Sequence, residues 1–499
     1  MTLAWTLFSI YLIGTSYLGW LGHKKTSDFG SFAIGKGDLS PFTVGVTLAA
    51  STASAATFII NPGFVYVDGL SAFMHLGVSV YVGFVFMLVV LSFRFRKIGE
   101  QYQALTIPHW IGKRYGTKKF ALYFSVLSLL SFAFIVLLVG GISIVMQKLL
   151  GVNNVAALLI TLVFVTGYVL FGGTYAHVFT NMFQGFLMIG ISLIIVGVGI
   201  KLMLTENNFM EIIQVKNPNI LAWTNPDSKF FNNYFSTYIS GFFIGAALVC
   251  QPHILTKALY VKTDKAVGQY ILVFSVVYLL FTLLLLAGLW ALYAVPSEQL
   301  LDASTGAFRQ DLVMTIYLQN AFPDWLFTII SVVLLAAAMS TLDGLLVGIS
   351  TITANDLVLN VLDVFGKDKL PENDKMKLAF RTSHIVLIVI AVLTFIINLH
   401  PPKLLGIFGQ VGVYGLVLAA VPPLLAGVLF KEVKLNIVWA ASVICTSVHF
   451  LLYSYGELIF PNIKMGFSNP GVTATLGLLT GLVLLFFAKN NRSAMQVAN

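Results

Sequence analysis

Long apolar runs alternate with short polar or basic segments along the whole chain, and each run approaches the roughly 20 residues a helix needs to cross a bilayer. A span-length window places thirteen such segments, starting near Leu3, Pro41, Ser71, Phe120, Val155, Val178, Thr237, Tyr270, Trp325, Ser383, Leu404, Leu435 and Thr473. Two of them are interrupted. The second, from Pro41 through Gly63, carries Thr43, Gly45, Thr47, Ser51, Thr52, Ser54 and Thr57 and closes on Asn61-Pro62-Gly63. The seventh, around Tyr238 to Cys250, carries Gly241 and Gly245 and stops at Gln251-Pro252. Interrupted, small-residue helices opening two successive five-helix blocks (spans two to six, then seven to eleven) point to an inverted-repeat transporter with its site at mid-membrane. Close packing of helices through small residues is the ordinary alternative.

Composition agrees with the pattern. The 499 residues are 58% hydrophobic and 10% charged, where a soluble domain is about 25% charged, and mean hydropathy is +0.90. One all-α membrane domain is expected over 1–499, with a peripheral first helix at 3–21, repeats at 41–203 and 235–430, and two further helices at 435–488. No basic residue precedes the first run and Lys24-Lys25 follow it, so it does not read as a cleavable signal and the N-terminus is expected outside. Alternating from there, an odd span number puts Lys24, Lys25, Arg94, Arg96, Lys97, Lys113, Arg114, Lys257, Lys262, Lys367, Lys369, Lys375, Lys377, Lys431 and Lys489 on the cytoplasmic side with the C-terminus. The net charge of +9 is then topology rather than a nucleic-acid footprint, and the basic stretch 94–119 meets anionic lipid. Cys250 and Cys445 have no metal or redox spacing and read as small core residues.

The run Ala336-Ala337-Ala338-Met339-Ser340-Thr341-Leu342-Asp343 places two adjacent hydroxyls and a carboxylate inside a membrane helix. An ionisable group there costs roughly 2.5 to 3.5 kcal/mol on insertion scales, so an ion or substrate path is the first thought. A hard ion such as sodium takes about five or six oxygens, and an unwound helix frees carbonyls while hydroxyls complete the shell without full charge. Adjacent side chains point about 100° apart on a helix, so one of Ser340 and Thr341 faces the broken helix while the other flanks it. Back-bonding to the carbonyl four residues earlier is the alternative. His75 reads as hydrogen-bonded to a neighbour rather than as a proton relay, and His177 and His253 as interfacial residues. Residues 300–320, with Leu301, Phe308, Leu312, Ile316 and Leu318 among acids and amides, read as an outer helix lying on the membrane or an outer gate. No lysine or arginine falls in the middle of a core span. No catalytic triad, phosphate loop or metal cluster is visible, so no enzyme and no cofactor is expected.

The stretch Ala337-Ala338-Met339-Ser340-Thr341, the segment Tyr168-Val169-Leu170-Phe171-Gly172-Gly173 running into Phe179-Thr180-Asn181-Met182-Phe183-Gln184, the run Gln251-Pro252-His253-Ile254 and the loop Asp28-Phe29-Gly30-Ser31-Phe32-Ala33-Ile34-Gly35-Lys36 together resemble the sodium:solute symporter family. The resemblance implies two five-helix inverted repeats of the leucine-transporter type, with sodium as coupling ion and as the metal bound. It implies a sodium ion between the carbonyls of Ala50 and Ala53, with Ala337 adding another, and the hydroxyls of Ser340 and Thr341. Substrate would lie beside it near Ser51, Thr52, Ser54, Thr57, Phe242 and Gln410. Where many members have aspartate in the Thr-Asp-x-x-Gln run, this chain has Asn181, whose amide keeps an oxygen and loses the charge. Asp343 lies three residues past Ser340 on nearly the same face, which makes Asn181 with Asp343 a candidate second cation site.

The expectation is a sodium-coupled secondary symporter of the cell membrane, importing a small solute by alternating access. The run following Ser54 looks closer to pantothenate and monocarboxylate members than to sugar members, and Gln251-Pro252-His253-Ile254 also occurs in proline carriers. The alternatives are a proton-coupled carrier relying on Asp343 or His75, or a symporter of sugar or another neutral solute. Its partners would be the solute, sodium and the lipid bilayer, with no nucleic acid; the oligomeric state is left open. A channel would need a continuous wet pore, and a sensor would carry a signalling domain where only 489–499 follows the last span.

Overall fold

The computed structural model of the chain describes residues 2–54, 56–302, 306–365, 371–401, 405–461 and 466–489. The expected span start at Leu404 and the basic residues Lys367 and Lys369 lie outside them. Among the described residues the chain is helical nearly throughout, and its extended pairings are two isolated bridges, Leu301 with Phe308 and Val433 with Lys489. The principal helices are α1 (Thr2–Lys25), α2 (Pro41–Thr52), α3 (Asn61–Asp68), α4 (Val80–Gln101), α5 (Phe132–Leu150), α6 (Asn154–Thr205), α7 (Ser240–Leu248), α8 (Pro252–Leu255), α9 (Asp264–Leu283), α10 (Asp324–Ile352), α11 (Glu372–Leu399), α12 (Leu405–Leu429), α13 (Leu435–Ile459) and α14 (Pro470–Leu485).

Eight helical runs among these residues are long and apolar enough to cross a membrane, or ten when each of two bent pairs counts as one span. The difference from the expected thirteen has three sources. The 52 residues of α6 would make a rod of about 78 Å, more than twice a bilayer core, and they divide at Gly173 (φ 49°, ψ −136°). A Cβ at Gly173 would lie 2.5 Å from the ring of Phe32, so this left-handed turn packs directly on the loop helix Phe29–Ile34. The other two are α1, diluted by threonine, tyrosine, tryptophan and glycine, and α14, which has only 16 residues.

Both interrupted spans are broken helices. Ser40 caps α2 by accepting from the amide of Thr43, and the helix ends at Ala53 (φ −79°, ψ 78°); the chain resumes as Ala56–Asp68 with a 54° bend. In the seventh span the break is made by Pro252. Gln251 before it is extended (φ −65°, ψ 141°), as a residue preceding proline prefers, and Pro252–Tyr260 continues at 65° to Phe235–Leu248. Gly241 and Gly245 serve packing instead: a Cβ at Gly245 would lie 2.0 Å from the carbonyl of Val80, so α7 and α4 touch backbone to backbone.

At the centre lies α10, in which every residue from 330 to 347 is buried, against α2, α5 and α6. By contrast α11 leaves Ile385, Ile388, Val389, Val392, Leu393 and Ile396 exposed at helical spacing, the face that lipid covers in a membrane protein. The described residues of 300–320 do not form one amphipathic helix lying on the surface. Ser297–Leu300 and Gln310–Leu312 are short turns, and Val313–Ala321 is a helix whose Val313, Met314, Ile316 and Leu318 are buried in the bundle, because a helix rooted between neighbours buries more apolar area than one lying in the interface.

Candidate functional site

The break of α2 is stitched to α10 by the two adjacent hydroxyls. Ser340 Oγ is 2.8 Å from the carbonyl of Ala50 and 2.7 Å from that of Ala337, and Thr341 Oγ1 donates to the carbonyl of Ser51 at 2.8 Å. Ser340 therefore makes both the local bond and the bond across to the broken helix, while Thr341 reaches across only. Ala50, Ala53, Ala337, Ser340 and Thr341 are all buried. Ala53, where α2 ends, lies three residues past Ala50. The set consists of neutral oxygens, which suits a hard monovalent cation.

Asn181 from α6 sits beside this joint. Its Nδ2 donates at 2.8 Å to both Ser51 Oγ and the carbonyl of Ser340; a carbonyl only accepts, so the amide nitrogen must face it. Asp343, proposed with Asn181 for a second cation, has both carboxylate oxygens hydrogen-bonded. Its Oδ1 is 2.8 Å from His177 Nδ1, and its Oδ2 accepts from Tyr168 at 2.9 Å and Thr180 at 3.1 Å.

The far side of His177 holds a residue that the sequence reading misplaced. Lys257, expected in a cytoplasmic segment, is fully buried at the heart of the bundle. Its Nζ lies 2.9 Å from His177 Nε2, 3.1 Å from Ser51 Oγ and 3.3 Å from the carbonyl of Thr47. The seventh span does not end before Pro252; its second half carries Lys257 back into the core. His177 and His253 are likewise buried rather than interfacial. His75 takes its expected ordinary role, with Nδ1 2.8 Å from the carbonyl of Ser236.

Beside the joint is a cavity of about 100 Å³ whose walls include Ser51, Thr52, Ser54, Thr57 and Gln410. Phe242 is not among them: its ring meets Phe86 of α4 with centroids 5.6 Å apart, away from the cavity. Asn61, Gln251, His253, Tyr278, Thr282 and Tyr414 complete the polar lining, and Asn61 Oδ1 and Gln251 Oε1 are buried without a hydrogen-bond partner. Both amides stand immediately before a proline at a helix irregularity, the one signal in the sequence that could have found them. One turn further along α3 and α12 begins a larger cavity, about 520 Å³, bordered by Phe64, Gly406, Arg309 and Asp311. Arg309 pairs there with Asp311 at 2.7 Å. At the opposite end, beneath His177 and His253, the space shrinks to about 20 Å³.

The sequence model of the sodium:solute symporter family matches residues 32–436. The chain belongs to that family. This symporter is 24% identical over 403 residues to the sodium/pantothenate symporter of Haemophilus influenzae, covering 80% of this chain and 79% of that protein. It is 26% identical over 260 residues to the osmoregulated proline transporter OpuE of Bacillus subtilis, covering 51% of each. Among solved structures, the substrate-bound outward-open state of a Na+-coupled sialic acid symporter superimposes with a TM-score of 0.75 over 98% of both chains, at 15% identity. That likeness shows the fold, which is of the leucine-transporter type. The chain is thus a multi-pass membrane transporter that couples solute to sodium, and not an enzyme.

Proposed function

We propose that this symporter imports a small carboxylate-bearing solute, a monocarboxylate, a pantothenate-like acid or an amino acid, with sodium held among Ala50, Ala53, Ala337, Ser340 and Thr341. The reading rests on the joint at the break of α2, where Ser340 reaches the carbonyl of Ala50 at 2.8 Å and Thr341 that of Ser51 at 2.8 Å. With sodium bound, the hydroxyls turn lone pairs to the ion and release the carbonyls to do the same. The direct clamp between α2 and α10 becomes a bridge through the ion, so sodium favours one geometry of the two helices over another. Such a differential grip is what allows an ion to drive a conformational change.

In the cycle we infer, sodium favours the outward-open state, solute enters the 100 Å³ cavity, the gates exchange, and loss of sodium inside releases both. A solute carboxylate at Ser51 would face the ammonium of Lys257 across a single hydroxyl, which supports an acid or zwitterion. The hydroxyl and amide lining, with Gln410 and Ser54, suits the remaining polar groups of such a solute. We further propose thirteen spans, the N-terminus outside and the C-terminus cytoplasmic, with repeats at 41–203 and 235–430.

The test is thermal stability of the purified protein in sodium against choline chloride, with a panel of monocarboxylates, pantothenate and amino acids. The solute that adds stability only when sodium is present identifies the class. Absence of a sodium-specific shift in the wild type would remove the sodium assignment.

A further inference from the structure

We propose that the ammonium of Lys257 is a tethered cation standing in for a second sodium ion, so that this symporter binds one sodium per transport cycle. The inference rests on the sodium reading of the Ser340 and Thr341 joint and adds the number of ions.

With Lys257 charged, the hydrogen bonds of the cluster have one consistent polarity. An ammonium only donates, so His177 Nε2 accepts from Lys257, and the ring proton must sit on Nδ1, where it meets Asp343 Oδ1 at 2.8 Å. Lys257, His177 and Asp343 thus form a chain of cation, neutral ring and anion, all buried, whose charges cancel. The three hydrogens of the ammonium have three acceptors, in Thr47, Ser51 and His177. Buried charges persist when they are paired and hydrogen-bonded in this way.

The cluster also occupies what a second ion would use. Ser51 is the residue after Ala50, and its carbonyl takes the Thr341 hydroxyl while its own hydroxyl takes the ammonium. Both oxygens of Asp343 are held by Tyr168, His177 and Thr180. Asn181, where a carboxylate would have offered charge, presents its amide nitrogen to the joint. The expected pairing of Asn181 with Asp343 around an ion is therefore replaced by a side chain already in place. With one sodium, a monovalent anion would enter without net charge movement and a zwitterion with one charge.

The experiment counts radioactive sodium bound at saturation per purified chain. The wild type should bind one ion. K257M, which leaves Asp343 and Ser51 without a cation, should bind two, and K257M/D343N should return to one. Two ions in the wild type would overturn the proposal, as would a K257M chain that still binds one. No bound sodium in the wild type would remove the sodium reading beneath it, which separates that failure from this one. Should K257M not be recovered folded, the wild type and the charge-neutral double variant decide the matter, since two ions in either contradicts it.

Discussion

Replacing Ser340 by alanine removes one oxygen from the joint and should weaken sodium binding by an amount the geometry bounds. Without sodium, Ser340 Oγ shares its hydrogen between the carbonyls of Ala50 at 2.8 Å and Ala337 at 2.7 Å, and losing it costs about 1 kcal/mol. With sodium bound, the same oxygen meets a full charge, and contacts of that kind contribute about 1.5 to 3 kcal/mol. Affinity depends on the difference, about 0.5 to 2 kcal/mol, or roughly a two- to thirtyfold rise in the sodium concentration for half-saturation. Thr341→Val, which keeps the shape of Thr341 and loses its hydroxyl, should act similarly, whereas Thr341→Ser should leave half-saturation within about twofold because the lost methyl is missing from both states. The residues touch the same helix break, so the double variant need not be the sum. The assay is the melting temperature as a function of sodium at constant ionic strength. A uniform drop in melting temperature with unchanged half-saturation would refute the reasoning, because the hydroxyls would then be clamps between helices and nothing more.

Other consequences follow from single contacts. A Cβ at Gly344 would lie 2.8 Å from His177 Cε1, so Gly344→Ala should push the ring off Asp343 and cost about 1 to 3 kcal/mol of stability, read as earlier thermal unfolding; an unchanged melting temperature would contradict the packing. Gly173→Ala must place a side chain at φ 49° against Phe32, and a clear loss of folded yield is expected where Gly190→Ala, with open space, has none. Asp28 caps the loop helix Phe29–Ile34 by accepting from the Ser31 amide, which holds its carboxyl below the usual 3.8. That cap is in place above the unfolded value and is lost as pH falls through the lower folded one, so exchange of the amides of 29–34 should quicken below about pH 4 in the wild type and not in D28N. Gln410→Ala and Gln251→Ala should each raise the solute concentration for half-maximal uptake while Phe242→Leu does not, since only the first two line the cavity.

What the sequence disclosed and what it hid divide along the range of the interactions. Spans are a local property of hydropathy, and Pro252 and the Ser51-Thr52 region mark their breaks locally too. Ser340, Thr341 and the hydroxyls of α2 were legible because polar oxygens stand out against alanine and leucine. Lys257 was not, because a hydropathy window sees a lysine after a proline as the start of a loop. Its real setting depends on His177 and Asp343, 80 and 86 residues away, the ring taking its hydrogen bond and the carboxylate offsetting its charge only once the bundle has closed. Phe242 escaped for a related reason: it lies on the seventh span as read, but its ring packs on Phe86 of α4 rather than in the cavity, and the direction a side chain takes from α7 is set by tertiary packing.

Uptake by purified protein in liposomes tests the central claim most directly. With labelled pantothenate, proline and a set of monocarboxylates outside, an inward sodium gradient should accumulate one of these classes above its external concentration. Potassium or choline in place of sodium should abolish that accumulation, and so should the combined Ser340→Ala and Thr341→Val change at the same sodium concentration. Accumulation that persists in choline and follows an imposed proton gradient would contradict the account.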